Sequence, residues 1–162
     1  MEWVTSRLSP VSPGFPGFLT QSESEAVTDA ELEATTESGA ESAQGEWVEE
    51  EISNPRAAQY QAKITGQPGQ AYQLNGVSFD GLSDTGELLE AKGPGYARLF
   101  QQGFADSVQA QIQSQVERQV AAAAGRRIVW HIAEDEALPV FQQVVDSVPG
   151  ASNVIRLVFT AP

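Results

Sequence analysis

Two carboxylates and one lysine in the middle of the chain have types and spacing suited to phosphodiester chemistry. Asp80 ends a short alternation of apolar and polar residues, and residues 81–86 follow with the Gly, Ser and Asp of a turn. Residues 88–92 return as a second strand, on which Glu90 and Lys92 share one face because alternate side chains point the same way. Such a hairpin brings Asp80 and Glu90 together, with Lys92 beside them.

This combination favours metal-dependent hydrolysis. Hard cations such as Mg²⁺ take oxygen ligands and commonly use one or two protein carboxylates together with water and substrate phosphate. The cation would polarise the scissile phosphate, while Lys92 would orient the attacking water or neutralise charge in the transition state. The same residues also fit a solvated hairpin with a cross-strand ion pair, so residue types alone leave both interpretations open.

Three sequence blocks distinguish the two interpretations: residues 75–81 (NGVSFDG), 88–97 (LLEAKGPGYA) and 125–134 (GRRIVWHIAE). In this order they closely resemble the restriction-endonuclease-fold toxin 5 domain of bacterial polymorphic toxins, which is similar to PD-(D/E)xK nucleases. The resemblance covers residues 55–162 and implies a metal-dependent endonuclease with Mg²⁺ or Mn²⁺ as cofactor. It also implies that Asp80 and Glu90 are the metal ligands and Lys92 the catalytic lysine.

The acidic composition belongs to one part of the chain. The net charge of the 162 residues is −13. Residues 1–54 contain twelve acidic residues and one arginine, a net charge of −11, which leaves −2 for residues 55–162. Residues 55–162 therefore have no net positive charge, which argues against tight nonspecific nucleic-acid binding through phosphate neutralisation alone. Without cysteine, the chain has no disulfide framework and no thiolate zinc site.

Residues 1–54 are predicted to be a largely disordered leader. Residues 9–18 are rich in Pro and Gly and predict an extended linker or docking peptide, while residues 21–51 have too few apolar side chains to offset their ordering entropy. A solvated tether fits this composition. Alternatively, residues 46–51, with Trp47 among them, mimic nucleic acid and cover the active cleft, in which case deleting the leader raises nuclease activity. No cleavable signal peptide and no membrane-spanning run is seen.

The elements that position the site predict an α/β domain over residues 55–162, a mixed sheet flanked by helices in the order α-β-β-β-α-β-α-β, and the resemblance implies that this sheet is restriction-endonuclease-like. The predicted helices cover 57–64, 105–124 and 135–148, and the predicted strands cover 71–74, 77–80, 88–92, 128–133 and 154–159. The dipeptide Asn75-Gly76 predicts a two-residue hairpin, and three consecutive strands are expected to pair antiparallel. The final strand, helix and strand predict a parallel pair with a right-handed crossover.

Glutamines on the helix at 105–124 are further site candidates. Gln111, Gln115 and Gln119 recur at four-residue spacing beside the apolar stripe of that helix. Such surfaces are usually solvated, but related nuclease folds place a glutamine from the helix after the Glu-x-Lys strand near the metal. By this fold-level analogy, Gln115 and Gln119 are included among the catalytic candidates, and one of them is expected to contact the site.

Two other polar residues remain open. Nuclease folds of this class often carry a glutamate on the first helix, but none occurs between residues 55 and 66, which makes Gln61 a candidate for a water or phosphate contact. An exposed helix glutamine describes it equally well. His131, the only histidine, is expected to be a packed core or edge residue, although its place in the third block keeps a functional role open.

The resemblance thus implies a nuclease toxin that hydrolyses DNA, the C-terminal effector module of interbacterial competition. Such a toxin implies a cognate immunity protein and a secretion-system component as partners besides nucleic acid. It would be secreted by a specialised secretion system and act in the cytoplasm of the target cell, without membrane insertion. One alternative makes RNA the substrate. Another is a noncatalytic interaction module that acts through its acidic leader.

Overall fold

A computed structural model describes residues 44–162. The strands are β1 (Glu46–Glu49), β2 (Gln70–Leu74), β3 (Val77–Phe79), β4 (Gly81–Leu82), β5 (Leu88–Lys92), β6 (Ile128–Ile132) and β7 (Ile155–Phe159). The α-helices are α1 (Pro55–Thr65), α2 (Tyr96–Gln101), α3 (Ala105–Ala123) and α4 (Leu138–Ser147). Short 3₁₀ turns cover Asp135–Ala137 and Ala151–Asn153.

Strands β1, β2 and β3 form an antiparallel sheet, sheet A, in that order. Between β2 and β3, Asn75 and Gly76 both have positive φ, 52° and 80°, as the predicted type I′ hairpin turn requires. Leu74 pairs with Val77 across this turn, so the two-residue hairpin is confirmed. The Asn75 amide also donates a hydrogen bond of 2.8 Å to the Ala122 carbonyl, which ties the hairpin to α3.

Strands β4 to β7 form a second sheet, sheet B, in sequence order. β4 pairs antiparallel with β5, whereas β5, β6 and β7 are mutually parallel. The parallel β6–β7 pair around α4 confirms the pairing predicted from the last strand, helix and strand. β6 is buried along most of its length, as its nearly continuous apolar sequence requires when both faces of a strand are covered.

The pairing of β5 differs from the predicted antiparallel meander. β3 hydrogen-bonds only to β2 in sheet A, and the chain then passes into sheet B, where the two residues of β4 pair with β5. Asp80 lies between β3 and β4 and belongs to neither. The predicted single mixed sheet is therefore two sheets, because the extended stretch 77–82 changes partners at the aspartate.

The helices follow their local signals. α1 begins after Asn54, whose side-chain oxygen accepts hydrogen bonds from the backbone of Arg56 and Ala57, and ends at Gly66 in the left-handed conformation. α3 matches the helix predicted at 105–124 almost residue for residue. The helix predicted at 135–148 begins as a 3₁₀ turn before α4. α2, just after the Gly-Pro-Gly loop, was not predicted.

The structure also places a strand inside the predicted leader. β1 pairs with β2 over four residues, and Trp47 packs edge-on against Tyr72 with ring centroids 5.4 Å apart. The Gly45 N–H donates to the Tyr72 hydroxyl at 3.0 Å. Part of the acidic stretch 46–51 is thus built into sheet A. The predicted linker at 9–18 and the predicted tether up to residue 43 lie outside the described residues.

The predicted fold class is confirmed: the chain has a mixed α/β fold with helices packed on its sheets, consistent with the restriction-endonuclease-like fold. Its core lies between sheet B and α3 and α4, where Trp130 of β6 contacts Phe141 of α4, with ring centroids 6.1 Å apart. None of the helices described between residues 44 and 162 is long and apolar enough to cross a membrane.

Candidate active site

Strand β5 carries the first two site residues. Glu90 and Lys92 alternate with Ala91, so they project from the same face of the strand, and both are buried, with 4% and 2% of their surface exposed. The Lys92 Nζ lies 2.8 Å from Glu90 Oε1. An ion pair removed from water in this way needs further hydrogen bonds to satisfy its remaining donors and acceptors.

Helix α3 supplies those hydrogen bonds through two glutamines. Gln115 Nε2 donates to Glu90 Oε1 at 2.7 Å, and Lys92 Nζ donates to Gln115 Oε1 at 2.6 Å. Gln119 Nε2 donates to the other carboxylate oxygen of Glu90 at 2.8 Å. Both predicted glutamines therefore lie at the Glu90–Lys92 pair, where one contact was expected. Gln111, one turn earlier, makes no hydrogen bond to this group.

Trp130 completes the network and was missed from the sequence. Its indole Nε1 donates to Gln119 Oε1 at 2.9 Å, and Lys92 Nζ lies 4.8 Å from the centroid of its ring. Trp130 is fully buried on β6, directly opposite Glu90 in the parallel ladder. The available signal was its polar N–H in an otherwise apolar strand, because a buried indole usually has a hydrogen-bond partner.

Asp80 approaches β5 from the point where the chain changes sheets. Its Oδ2 accepts a hydrogen bond of 2.7 Å from the Ala91 N–H, between Glu90 and Lys92 in sequence. Burial raises the pKa of the Asp80 carboxyl well above its usual value, and the nearby charges of Glu90 and Glu50 raise it further. The opposing effects of the Ala91 N–H and of Lys92 are smaller. Asp80 and Glu90 are thus close enough to repel each other in a buried setting.

Two further residues lie within electrostatic reach of the carboxylates. Tyr96, at the start of α2, is buried, and burial, Glu90 and Asp80 all raise the pKa of its phenol, so the hydroxyl stays protonated at neutral pH. Glu50, just after β1, is the other residue, and its charge raises the pKa of the Asp80 carboxyl. Sequence reasoning missed Glu50 because it counted the residue as part of the leader.

Gln61 and His131 lie outside the network around Glu90. Gln61 is buried on α1, and its amide donates to Glu50 Oε1 at 3.4 Å and to the Gln70 carbonyl at 3.3 Å. His131 alternates with Trp130 along β6 and bonds through Nδ1 to Thr160 Oγ1 at 2.9 Å. Burial lowers the His131 pKa. These contacts describe a structural histidine at the edge of the core.

The donor types of the site suit a hard divalent cation. Asp80 and Glu90 offer carboxylate oxygens, and such an ion needs only one or two of them when water and substrate phosphate complete its coordination. A cation would also relieve the repulsion between two buried carboxylates. Within residues 44–162, no three His, Cys, Asp or Glu side chains form a group that could hold a metal ion.

The mixed α/β fold that carries this cluster is consistent with the restriction-endonuclease-like fold. Residues 57–135, just under half of the chain, match the family model described as restriction endonuclease fold toxin 5. The match confirms the resemblance stated from the sequence and indicates a nuclease toxin. Comparisons with curated proteins and with solved structures found no match.

Replacing Trp130 by phenylalanine is expected to destabilise the protein by about 1–3 kcal/mol, because Gln119 Oε1 would be buried without its donor. Urea denaturation measures this change. Trp47 is the matched control, since this residue is 37% exposed and the same substitution there is expected to cost less than about 1 kcal/mol. Equal effects at the two positions would show that the indole N–H of Trp130 contributes nothing specific.

Proposed function

We propose that this protein is a metal-dependent endonuclease toxin that hydrolyses the phosphodiester bonds of DNA. The observation that carries the proposal is the buried cluster of Asp80, Glu90 and Lys92, held by hydrogen bonds from α3 and from the β5 backbone. A surface hairpin with a cross-strand ion pair would leave these side chains in water, whereas all three are at least nine-tenths buried.

Asp80 and Glu90 would hold an Mg²⁺ or Mn²⁺ ion, which supplies Lewis-acid polarisation of the scissile phosphate when bound. Gln115 and Gln119 orient the Glu90 carboxylate, since their amides donate to its two oxygens. With the carboxylate fixed in this way, little reorganisation is needed when substrate arrives.

Lys92 is the proposed catalytic residue of the cluster. Its ammonium donates hydrogen bonds to Glu90 and Gln115, which hold it beside the Glu90 carboxylate. There it would orient the attacking water and neutralise the charge that builds up on the phosphate oxygens. The water gives up a proton to solvent as it forms the new bond to phosphorus, the bond from phosphorus to the leaving sugar oxygen breaks, and that oxygen takes up a proton from solvent.

The family description also supports a role as a toxin, which carries consequences outside the chain. We propose that the protein is the toxic module of an interbacterial effector, delivered by a specialised secretion system to the cytoplasm of the target cell. The producing cell then needs a cognate immunity protein. Co-expression with the product of the neighbouring gene should restore growth of cells that produce the toxin.

Incubation of the purified protein with plasmid DNA or RNA in the presence of Mg²⁺ tests the activity. We expect the plasmid to be cleaved, the cleavage to stop with a chelator, and the Asp80→Ala and Lys92→Ala variants to be inactive. Lys63→Ala is the matched control, because Lys63 is an exposed α1 lysine and the variant should cleave at the wild-type rate. Cleavage of RNA alone would reassign the substrate. No cleavage of either would favour a noncatalytic interaction module.

A further inference from the structure

A polar cavity lies at the end of sheet B where β6 and β7 begin. It has a volume of about 320 Å³ and is formed by the turn before β6, the outer side of α4 and the start of β7. Its polar lining comprises Arg127, Gln142, Ser152, Asn153 and Arg156. The lining thus includes two arginines, two residues with side-chain amides and one serine, and none of the lining residues is acidic.

The charge of Arg156 acts on His131, whose pKa it lowers, but neither arginine forms an ion pair within the described residues. Neither the Arg127 nor the Arg156 side chain forms an ion pair or a hydrogen bond with any of residues 44–162. Two acidic residues lie near the lining: Gln142 donates to Asp146 Oδ1 at 3.0 Å, and Glu87 directly precedes Leu88, whose N–H donates to the Arg127 carbonyl at 3.0 Å. Unpaired guanidinium groups beside amides favour phosphate, whose oxygens accept the forked hydrogen bonds of arginine.

Several of the arginines of the domain lie at this end of the sheet. Three of the eight Lys and Arg residues of 55–162 are Arg126, Arg127 and Arg156. By contrast, a cavity of about 560 Å³ beside β1 and β2 is lined by Glu49, Glu50 and Glu51 and would repel a polyanion. A domain of net charge −2 must concentrate its cations to hold nucleic acid.

A third cavity, beside α1, is less suited to phosphate. It has a volume of about 460 Å³ and is lined by Arg56 and Lys63, but also by Glu134. The Lys63 ammonium already donates a hydrogen bond of 2.8 Å to the Ala161 carbonyl. Of these two cationic openings, only the one with Arg127 and Arg156 lacks a carboxylate in its lining.

The position of the cavity fits a phosphate away from the scissile bond. Arg127 directly precedes β6, and Trp130 of β6 pairs with Glu90. Three residues of strand correspond to roughly 10 Å, and two strand spacings from β5 to β7 add roughly 10 Å sideways. A base pair of B-DNA advances by about 3.4 Å, so this offset spans several base pairs.

We propose that Arg127 and Arg156 form a subsite for the phosphate backbone of the nucleic-acid substrate, several nucleotides from the bond that is cleaved. The inference rests on the proposed nuclease function and names the cavity through which an acidic protein holds a polyanion. The subsite contributes to binding of a long substrate and leaves the chemistry at Lys92 untouched.

Salt dependence of DNA binding tests the subsite. Affinity for a short fluorescein-labelled duplex is measured in a chelator at several salt concentrations, for the wild type and for the Arg127→Gln/Arg156→Gln variant. The slope of log K against log salt is expected to fall by about 0.9 for each phosphate that is no longer neutralised, so by about 1.8 for the pair. With Mg²⁺, hydrolysis of bis(p-nitrophenyl) phosphate, which carries one phosphate, should be unchanged.

The matched control is Arg56→Gln/Lys63→Gln, which removes the same charge from the rim of the cavity beside α1. Its salt slope should equal that of the wild type, and thermal melting confirms that each variant is folded. Wild-type binding with an unchanged slope in the Arg127/Arg156 variant would overturn the subsite and leave the nuclease proposal standing. Equal reductions in both variants would also overturn it, as an effect of net charge. A wild type that neither binds nor cleaves would remove both proposals.

Discussion

The Asp80→Asn variant is expected to lose cleavage and to gain thermal stability at the same time. Asparagine keeps an oxygen that can accept the Ala91 N–H but removes the charge that would hold the cation. Loss of a metal contribution of several kcal/mol corresponds to a rate lower by a factor of about 10² to 10³. The stability gain follows because the wild-type carboxylate is buried beside Glu90 and Glu50.

The dependence of thermal stability on pH distinguishes the wild type from the Asp80→Asn variant. The Asp80 pKa is raised in the folded protein, so the wild type is most stable below the usual pKa of 3.8 and loses that stability as the pH rises through the folded-state pKa. The variant has no such loss. The two melting temperatures, measured in a chelator, should therefore converge at low pH and separate towards neutral pH. A variant that melts below the wild type at neutral pH would contradict the assigned repulsion.

The Lys92→Met variant is expected to lose both activity and stability. The rate should fall by about 10² to 10³, because the group that neutralises the transition state is gone. The free energy of unfolding should fall by about 3–5 kcal/mol, since Glu90 would remain buried without its counter-charge. Denaturant unfolding measures the second effect independently of any substrate.

A double variant distinguishes the contribution of the ion pair to stability from the contribution of side-chain packing. In Glu90→Gln/Lys92→Met neither side chain is charged, and the glutamine oxygen can still accept from Gln119, so most of the stability should return while cleavage stays absent. Lys63→Met, at an exposed lysine, should change stability by less than about 0.5 kcal/mol. If the double variant is no more stable than Lys92→Met, the isolated charge is not the cause of the destabilisation.

Local sequence patterns predict most of the elements that carry the site. The alternation of residues 88–92 places Glu90 and Lys92 on one face, and the Asn75-Gly76 pair sets the hairpin before Asp80. The four-residue spacing of Gln115 and Gln119 puts both on one side of α3. In each case the signal is local, since it depends on the period of one element or on the turn chemistry of a few residues.

Local patterns could not predict which strands pair with each other or which residues far apart in the sequence are in contact. The switch of residues 77–82 from sheet A to sheet B depends on how the two sheets pack, which no local period encodes. β1 was assigned to the leader because four residues among glutamates bury too little surface to be recognised alone. The hydrogen bond from Trp130 to Gln119 joins two elements and became visible only once both had been placed.

The passage of residues 77–82 through two sheets restricts where the chain can change its length. Phe79 is paired in one sheet and Gly81 in the other, so Asp80 is the single residue between the two pairings. Inserting or deleting one residue here would turn every following side chain to the other face of its strand. Insertions in natural or engineered variants should therefore accumulate in the loop at 83–87, while the aspartate-bearing stretch keeps a constant length.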